Sequence, residues 1–294
     1  MRMDCLHVAE LHDLAEARRV ADAFLDRCPG RQALASLKLD GWFCEVRVLP
    51  GGAVEWSSKS GNRLRHLSAL DWHIRMLPGL LALDRATFDA EITHVSGLVE
   101  DVTAALNNSQ GGVRDLRVNL FDIRLGSVRL RRRAPLLAEA VAGLCHPQVC
   151  AVEHHLTGDP LPEALAYVAD GGEGLVLKNP DEVYDPLSSP GWCKVVRADT
   201  LDLPVLRVKE GRGAWAGMVA TFICAMPDGG LVEVMVGEAT HMELRHYLHF
   251  PPAMIAVKHR GFTRHGLPRN ACFVRPRPDK APGLRTPDSI TTTP

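Results

Sequence analysis

Strand-like and helix-like segments alternate over the first two hundred residues, and short β-runs with a single helix fill the next eighty, which predicts an α+β chain of two domains. The 294 residues agree with that division, since a domain takes about 150 residues on average. A composition of 46% apolar and 23% charged residues is that of an ordinary globular protein.

The elements follow in order. Leu11, Leu14, Ala17, Val20, Ala21, Phe24 and Leu25 recur at helical spacing over residues 10 to 27, and Pro29-Gly30 ends the pattern. Alternating segments predict strands at 33–38, 42–48 and 53–57, with Pro50-Gly51-Gly52 as a hairpin turn. A helix is expected over 66–83, interrupted near Pro78-Gly79, then a strand at 86–93 and a helix at 97–107. Asn107 to Gly112 reads as a loop. Strands at 115–124, 148–152, 174–178 and 192–197 alternate with helices at 135–143 and 160–169. Beyond residue 200, strands at 205–210, 217–225, 231–236, 255–260 and 271–275 with one helix at 240–248 suit a small closed barrel. The Pro- and Thr-rich stretch 281–294 is expected to be disordered.

Composition also excludes functions. No apolar run reaches the eighteen residues of a membrane span, and the N-terminus lacks a signal-peptide core, so a cytoplasmic protein is expected. Eight cysteines with no Cys-x-x-Cys pair argue against a zinc site. His154-His155 and His241, His246 and His249 likewise lack matched ligand spacing. A net charge of −1 gives no global attraction to nucleic acid. Two local basic stretches do: Arg129-Leu130-Arg131-Arg132-Arg133, read as a loop before a helix, and the series Lys258, Arg260, Arg264, Arg269, Arg275, Arg277, Lys280.

The most telling residue is Lys38. In Ser36-Leu37-Lys38-Leu39-Asp40-Gly41 an apolar run ends in a lysine and turns at a glycine, which presents an amine at a strand end. A lysine with the ordinary pKa of about 10.4 is protonated at neutral pH and attacks only if burial or nearby cations lower that value. By itself Lys-x-Asp-Gly also describes an edge-strand lysine before a hairpin turn. Further pieces follow in order: Phe88-Asp89-Ala90-Glu91-Ile92, Leu120-Phe121-Asp122-Ile123, Glu173-Gly174-Leu175-Val176-Leu177-Lys178 and Gly191-Trp192-Cys193-Lys194-Val195-Val196.

In this order and at these intervals the series resembles the covalent nucleotidyltransferases, and most of all the compact phage-type ATP-dependent DNA ligases. Glu210 to Gly213, Val257 to Thr263, Gly266 to Arg269, Phe273 to Arg275 and Arg277-Pro278-Asp279-Lys280 resemble the OB-fold domain of such enzymes, so the likeness runs from about residue 31 to 280. The resemblance implies an N-terminal helix at 1–30, an adenylyltransferase domain with ATP-grasp-like antiparallel sheets at 31–200 and an OB-fold barrel at 201–280. It implies ATP and Mg2+ (or Mn2+) as cofactors and nicked double-stranded DNA as partner. Lys38 would take AMP covalently. Ser36, Leu37, Asp40 and Gly41 would line the nucleotide, Glu91 and Glu173 would serve the metal and ribose, Phe121 would stack on adenine, and Lys178 and Lys194 would meet phosphate. Arg277 and Lys280 would reach the pyrophosphate. Lys59, Arg131, Arg132, Lys258, Arg260, Arg264, Arg269 and Arg275 would contact DNA.

The chain departs from the family pattern at four places. Phe43 stands where an arginine is usual, Ser36 where a glutamate is, Val196 where a second lysine is, and Lys59 where an arginine meets the nick 5′-phosphate. Lysine lacks arginine's bidentate fork. Slow catalysis, or compensation by Arg47 or Arg63, is the expectation. An RNA ligase or a GTP-using mRNA capping enzyme shares the nucleophile motif, and a nick-binding module with impaired adenylation is the non-enzyme alternative. No Gly-x4-Gly-Lys-Ser/Thr loop is present, and Gly211-x-Gly213 has the wrong onward spacing for a dinucleotide site.

Overall fold

A computed structural model describes residues 7–107, 112–184, 191–237 and 239–280. Most of the Asn107–Gly112 loop and the whole 281–294 stretch lie outside the described residues. The chain divides into two compact units, one ending at Val196 and the other beginning at Arg197.

The first unit opens on β1 (His7–Glu10), a short strand the sequence did not announce. Helix α1 (Leu14–Leu25) follows, and the Asp13 carboxylate accepts from the Ala15 and Glu16 amides at 3.1 and 3.0 Å, which satisfies two donors of its first turn. Ala17, Ala21, Phe24 and Leu25 are its buried stripe. Strands β2 (Ala33–Leu37), β3 (Trp42–Val48) and β4 (Val54–Ser58) fall where alternation placed them. The helix expected over 66–83 is instead two short helices, α2 (Asp71–Ile74) and α3 (Leu77–Leu80). The break falls at Arg75-Met76, ahead of Pro78, because a proline is tolerated in a helix's first turn and Pro78 sits there. Next come β5 (Ala86–His94) and α4 (Val99–Asn107), then β6 (Leu116–Ile123).

Helix α5 (Leu130–Leu144) begins a full turn before the expected start. Arg131, Arg132 and Arg133 are therefore helical, and they are not a loop. The reason is tertiary: Arg133 is 1% exposed and forms a two-point ion pair with the equally buried Asp122, Nε to Oδ1 at 2.6 Å and Nη2 to Oδ2 at 3.0 Å. Its Nη1 also donates to the Val128 and Glu182 carbonyls, both at 2.8 Å. The unit ends with β7 (Val149–Ala151), β8 (His155–Thr157), α6 (Leu161–Ala169), β9 (Gly174–Lys178) and β10 (Cys193–Val196).

These strands make two sheets, ordered β1-β10-β9-β2-β8 and β4-β3-β5-β6-β7. On the first, Ala33, Ala35, Leu175, Leu177, Cys193 and Val195 pack against α1 and α6. Period-two alternation then turns Ser36, Val176, Lys178, Lys194 and Val196 to the opposite face. On the second sheet Cys44, Val46, Phe88, Ala90, Ile92, Val118 and Leu120 form the core, which turns Phe43 and Glu91 to the other side. A register shift between Asp89 and Ala90 leaves Phe121 as the extra residue on β6, since Asp89 faces Asp122 and Ala90 faces Leu120. Such a bulge re-aims a side chain.

The second unit is a closed barrel of β11 (Asp199–Glu210), β12 (Val219–Ala225), β13 (Leu231–Met235), β14 (Met254–His259) and β15 (Cys272–Pro276), with α7 (His241–His249) between the third and fourth strands. β11 is longer than alternation suggested, because its first half pairs with β14 and its second with β12. Pro204 lies at that change of partner, where a missing N–H is tolerated. Thr240 and Glu243 form a reciprocal cap on α7. Phe222, Val234, Tyr247, Val257 and Phe273 are among the barrel's core residues.

Candidate active site

The opposite faces of the two sheets of the first unit line one pocket of about 840 Å³. Ser36, Leu37, Lys38, Gly41, Phe43, Lys59, Glu91, Phe121, Lys178, Trp192 and Lys194 reach it, so most of the residues singled out in sequence converge. Lys38 follows β2 directly. Its amide donates to the Gly174 carbonyl at 2.7 Å, and its Nζ forms an ion pair with the Glu173 carboxylate. Glu173 and Lys38 are thus fixed by the same pairing of β2 with β9.

Two glycines make this possible. Gly174 has φ +128°, and a Cβ there would collide with the Val195 carbonyl oxygen. At Gly41 a Cβ would collide with the Ile92 carbonyl oxygen and press on the Glu91 side chain. The turn after Lys38 therefore lies directly against β5, which brings Glu91 beside the amine. Glu91 stands across from Phe43 on one neighbouring strand and Asn119 on the other. Burial pushes its carboxyl up to about 7; Lys38 and Lys194 oppose that rise, while Glu173 and Asp40 reinforce it. Lys194 faces Val176, which in turn faces Ser36.

Lys178 lies at the other end of the pocket. It pairs with Leu34, four residues along β9 from Gly174, or roughly 13 Å along the strand. The side chain is 1% exposed. Its Nζ donates to His154 Nε2 at 2.9 Å and more weakly to the Phe121 carbonyl at 3.4 Å. It also sits 5.0 Å from the Phe121 ring centroid and 4.5 Å from that of Trp192. Phe121 is 6.2 Å from Phe43 and 5.9 Å, edge-on, from Trp192, whose indole N–H donates to the Glu182 carboxylate at 2.7 Å. This end is aromatic and apolar. Phe43, the departure noted in sequence, belongs to it.

The remaining basic residues lie elsewhere. Arg277 and Lys280 are in the second unit, and both pair with Asp202, at 2.9 and 2.6 Å, with Asp279 also on Arg277. Lys258 is on β14 and Arg275 on β15, with Arg260, Arg264 and Arg269 in the connection between them. Arg131 pairs with Asp181 at 3.1 Å in the first turn of α5, and Arg132 beside it is exposed. Sequence reasoning did not assign Trp192 or His154 to the site. The alternation of β3 would have placed Phe43 opposite the core, whereas nothing local marks His154. Among the described residues no group of three His, Cys, Asp or Glu could hold a metal, and no helix is long and apolar enough to cross a membrane.

Known proteins resemble this chain in both parts. Residues 210–277 match the DNA ligase OB-like domain family. A DNA ligase of Haemophilus influenzae is 25% identical over 248 residues, covering 81% of this chain and 87% of that protein. Among solved structures, a Lig E DNA ligase superposes with a TM-score of 0.68 at 22% identity, over 83% of this chain and 92% of the other. The ATP-dependent DNA ligase of bacteriophage T7, solved with ATP, superposes with a TM-score of 0.51 at 16% identity, over 92% and 97%. Both structural likenesses concern the fold alone, a two-sheet α+β unit followed by a closed barrel. In its architecture and its barrel sequence the chain is thus similar to DNA ligases.

Proposed function

We propose that this chain is an ATP-dependent DNA ligase that seals nicks in duplex DNA through a covalent intermediate on Lys38, acting as a monomer. The observation that carries the reading is the Lys38–Glu173 pair at the wall of a pocket that also holds Glu91 and Lys194. A strand-end amine held against a carboxylate has both a fixed direction and a proton acceptor.

In the first step Lys38 Nζ attacks the α-phosphorus of ATP; a P–N bond forms, the α–β anhydride breaks, and pyrophosphate leaves as Glu173 takes the amine proton. In the second, a DNA 5′-phosphate oxygen displaces the lysine, and AMP passes to the DNA as an anhydride. In the third, the 3′-hydroxyl attacks that 5′-phosphorus, AMP leaves, and the strand is closed. Lys194, level with Ser36, offsets phosphate charge. Phe121 stacks on the base, and the apolar surround of Phe43 and Trp192 favours a flat ring over water. Ser36, Leu37, Asp40 and Gly41 complete the nucleotide wall.

Glu91 and Glu173 fit a divalent cation. Both are carboxylates, the donors a hard ion prefers, and burial raises the Glu91 carboxyl to about 7, a rise that a bound cation would oppose. With two protein ligands, the other positions would fall to phosphate oxygens and water, as is usual for Mg2+. When bound, the ion supplies charge neutralisation on the triphosphate. The roles assigned to Arg277 and Lys280 at the pyrophosphate require each to exchange Asp202 for phosphate. Lys59, Arg131, Arg132, Lys258, Arg260, Arg264, Arg269 and Arg275 are proposed to hold the DNA backbone, with adenylyl transfer in residues 31–200 and the OB fold in 201–280.

The test is incubation with Mg2+ and α-labelled ATP. Label is expected on the wild type and absent from Lys38→Ala. Unlabelled wild-type protein, or label that persists without Lys38, would sink the reading, and preference for GTP would move the chain to the capping class.

A further inference from the structure

We propose that the outer edge of β4 binds the duplex on the 5′-phosphate side of the nick, with Arg63, Arg65 and Arg75 meeting its phosphates and Trp72 holding Arg75 in place. The proposal extends the ligase reading above and rests on it for the identity of the ligand and for Lys59 at the nick 5′-phosphate. β4 is the last strand of its sheet, and its C-terminal end reaches the pocket through Ser58, Lys59 and Ser60. The chain then doubles back. Arg63 bridges antiparallel to Ser57, and the Leu64 amide donates to the Trp56 carbonyl at 2.9 Å. Leu64 packs against the core, so alternation turns Arg63 and Arg65 away from it. Trp56 Nε1 donates to Asp71 Oδ1 at 2.7 Å, which ties the start of α2 to the middle of β4. Arg75 then lies beside Gly52, where an added Cβ would be 3.8 Å from its Cδ. Ser58 and Gly52 stand at opposite ends of β4, roughly 20 Å apart along the strand. Arginines therefore mark a path that leaves the pocket and runs for about six base pairs of duplex, at about 3.4 Å each.

The charge on this path is not neutralised within the protein. Among the described residues no carboxylate pairs with Arg63, Arg65 or Arg75. Asp71 is the only acid between Glu55 and Asp84 and is engaged by Trp56, while Glu55 is met by Arg47 at 3.8 Å. Arg18, Arg19 and Arg129, exposed on the same unit, each hold a carboxylate instead. Like charges set along one edge repel one another until a polyanion lies across them. Trp72 is a separate observation that points the same way. Its indole is 59% exposed, and the Arg75 guanidinium lies 3.7 Å from the ring centroid. A guanidinium stacked on a ring keeps its edge N–H groups available and already oriented for the paired oxygens of a phosphate.

The test is equilibrium binding of a nicked duplex, read by fluorescence anisotropy over a series of salt concentrations. The 3′ end at the nick is a dideoxynucleotide and the buffer contains EDTA, so that no sealing occurs. In Arg63→Gln/Arg65→Gln/Arg75→Gln the slope of log affinity against log salt should be about 2.7 shallower than in the wild type, at about 0.9 for each lost phosphate contact. Its Kd near 0.1 M salt should be at least roughly tenfold higher. Trp72→Ala should raise Kd about threefold, the effect of an arginine no longer held in place, and Trp72→Phe should restore it. In the Arg75→Gln background Trp72→Ala should add nothing. Shortening the 5′-phosphate arm from about twelve base pairs to about three should erase the difference between wild type and the triple variant, and shortening the 3′-hydroxyl arm should not. Should the triple variant lose Tm, the three single variants replace it, each expected to flatten the slope by about 0.9. An unchanged slope, or a loss of affinity that persists with the short 5′-phosphate arm, would overturn the proposal. If the wild type takes label on Lys38 and seals nicks while the variants bind as it does, the docking surface alone is refuted. A wild type that binds this DNA through the strip and takes no label would refute the ligase reading alone.

Discussion

Asp122→Ala should be among the most damaging single substitutions in the first unit, and its cost can be worked from the structure. Asp122 and Arg133 are each 1% exposed and meet through two hydrogen bonds, and Asp122 Oδ1 also accepts from the Ile123 amide at 2.8 Å. Removing the carboxylate leaves a guanidinium in the core with two unmatched N–H groups, for which breaking a buried pair costs about 3–5 kcal/mol. Urea unfolding followed by tryptophan fluorescence measures it, since Trp42, Trp56, Trp72 and Trp192 all precede Val196. With a slope of about 2 kcal/mol per molar urea, the midpoint should fall by roughly 1.5–2.5 M. The double variant Asp122→Leu/Arg133→Met should cost less than Asp122→Ala alone. It removes the stranded charge and leaves the Val128 and Glu182 carbonyls short of a donor and the Ile123 amide short of its Asp122 acceptor, at about 1 kcal/mol or more each. A loss under about 1 kcal/mol for Asp122→Ala, or a double variant worse than the sum of its parts, would refute the reasoning.

Two further outcomes follow from the site. Glu91 has a folded-state pKa of about 7 against an ordinary 4.5, so the folded protein binds that proton more tightly than the unfolded chain does. Its contribution to stability is thus full below pH 4.5 and is lost as pH rises to about 7; in metal-free buffer the wild-type Tm should decline over that window more than that of Glu91→Gln, and identical slopes would show that Glu91 titrates normally. Gly174→Ala sets a Cβ against the Val195 carbonyl at a backbone angle of φ +128°. A strain of at least about 1–3 kcal/mol should part β9 from β10 and cut Lys38 labelling more than tenfold, while an alanine variant with wild-type labelling would mean that the strands are not so tightly apposed.

Much of this was legible in the sequence. Period-two alternation located β2, β3, β5 and β9, and the spacing of Lys38, Glu91, Glu173 and Lys194 carried the family resemblance, because strand pairing and nucleophile chemistry impose local patterns that a chain displays directly. The barrel strands after residue 200 were equally visible. What alternation could not reveal were the short elements β1 and β8, whose formation depends on an edge offered by distant strands, and the early start of α5, which a buried ion pair with Asp122 decides. Where the family pattern has a second lysine, position 196 is a valine that is 1% exposed opposite Gly174, so an apolar side chain is buried there.

The sequence by itself determined the order of the chemical groups, the strand that leads into Lys38 and the division into an α+β part and a barrel. Only the tertiary structure decided which cation meets which partner: Lys38 with Glu173, Lys178 with His154 and two aromatic rings, and Arg277 and Lys280 with Asp202. The reason is range. Backbone periodicity is written in neighbouring residues, whereas the match of a charge to its partner depends on side chains brought together from strands far apart in the chain, and on how much water the fold leaves between them.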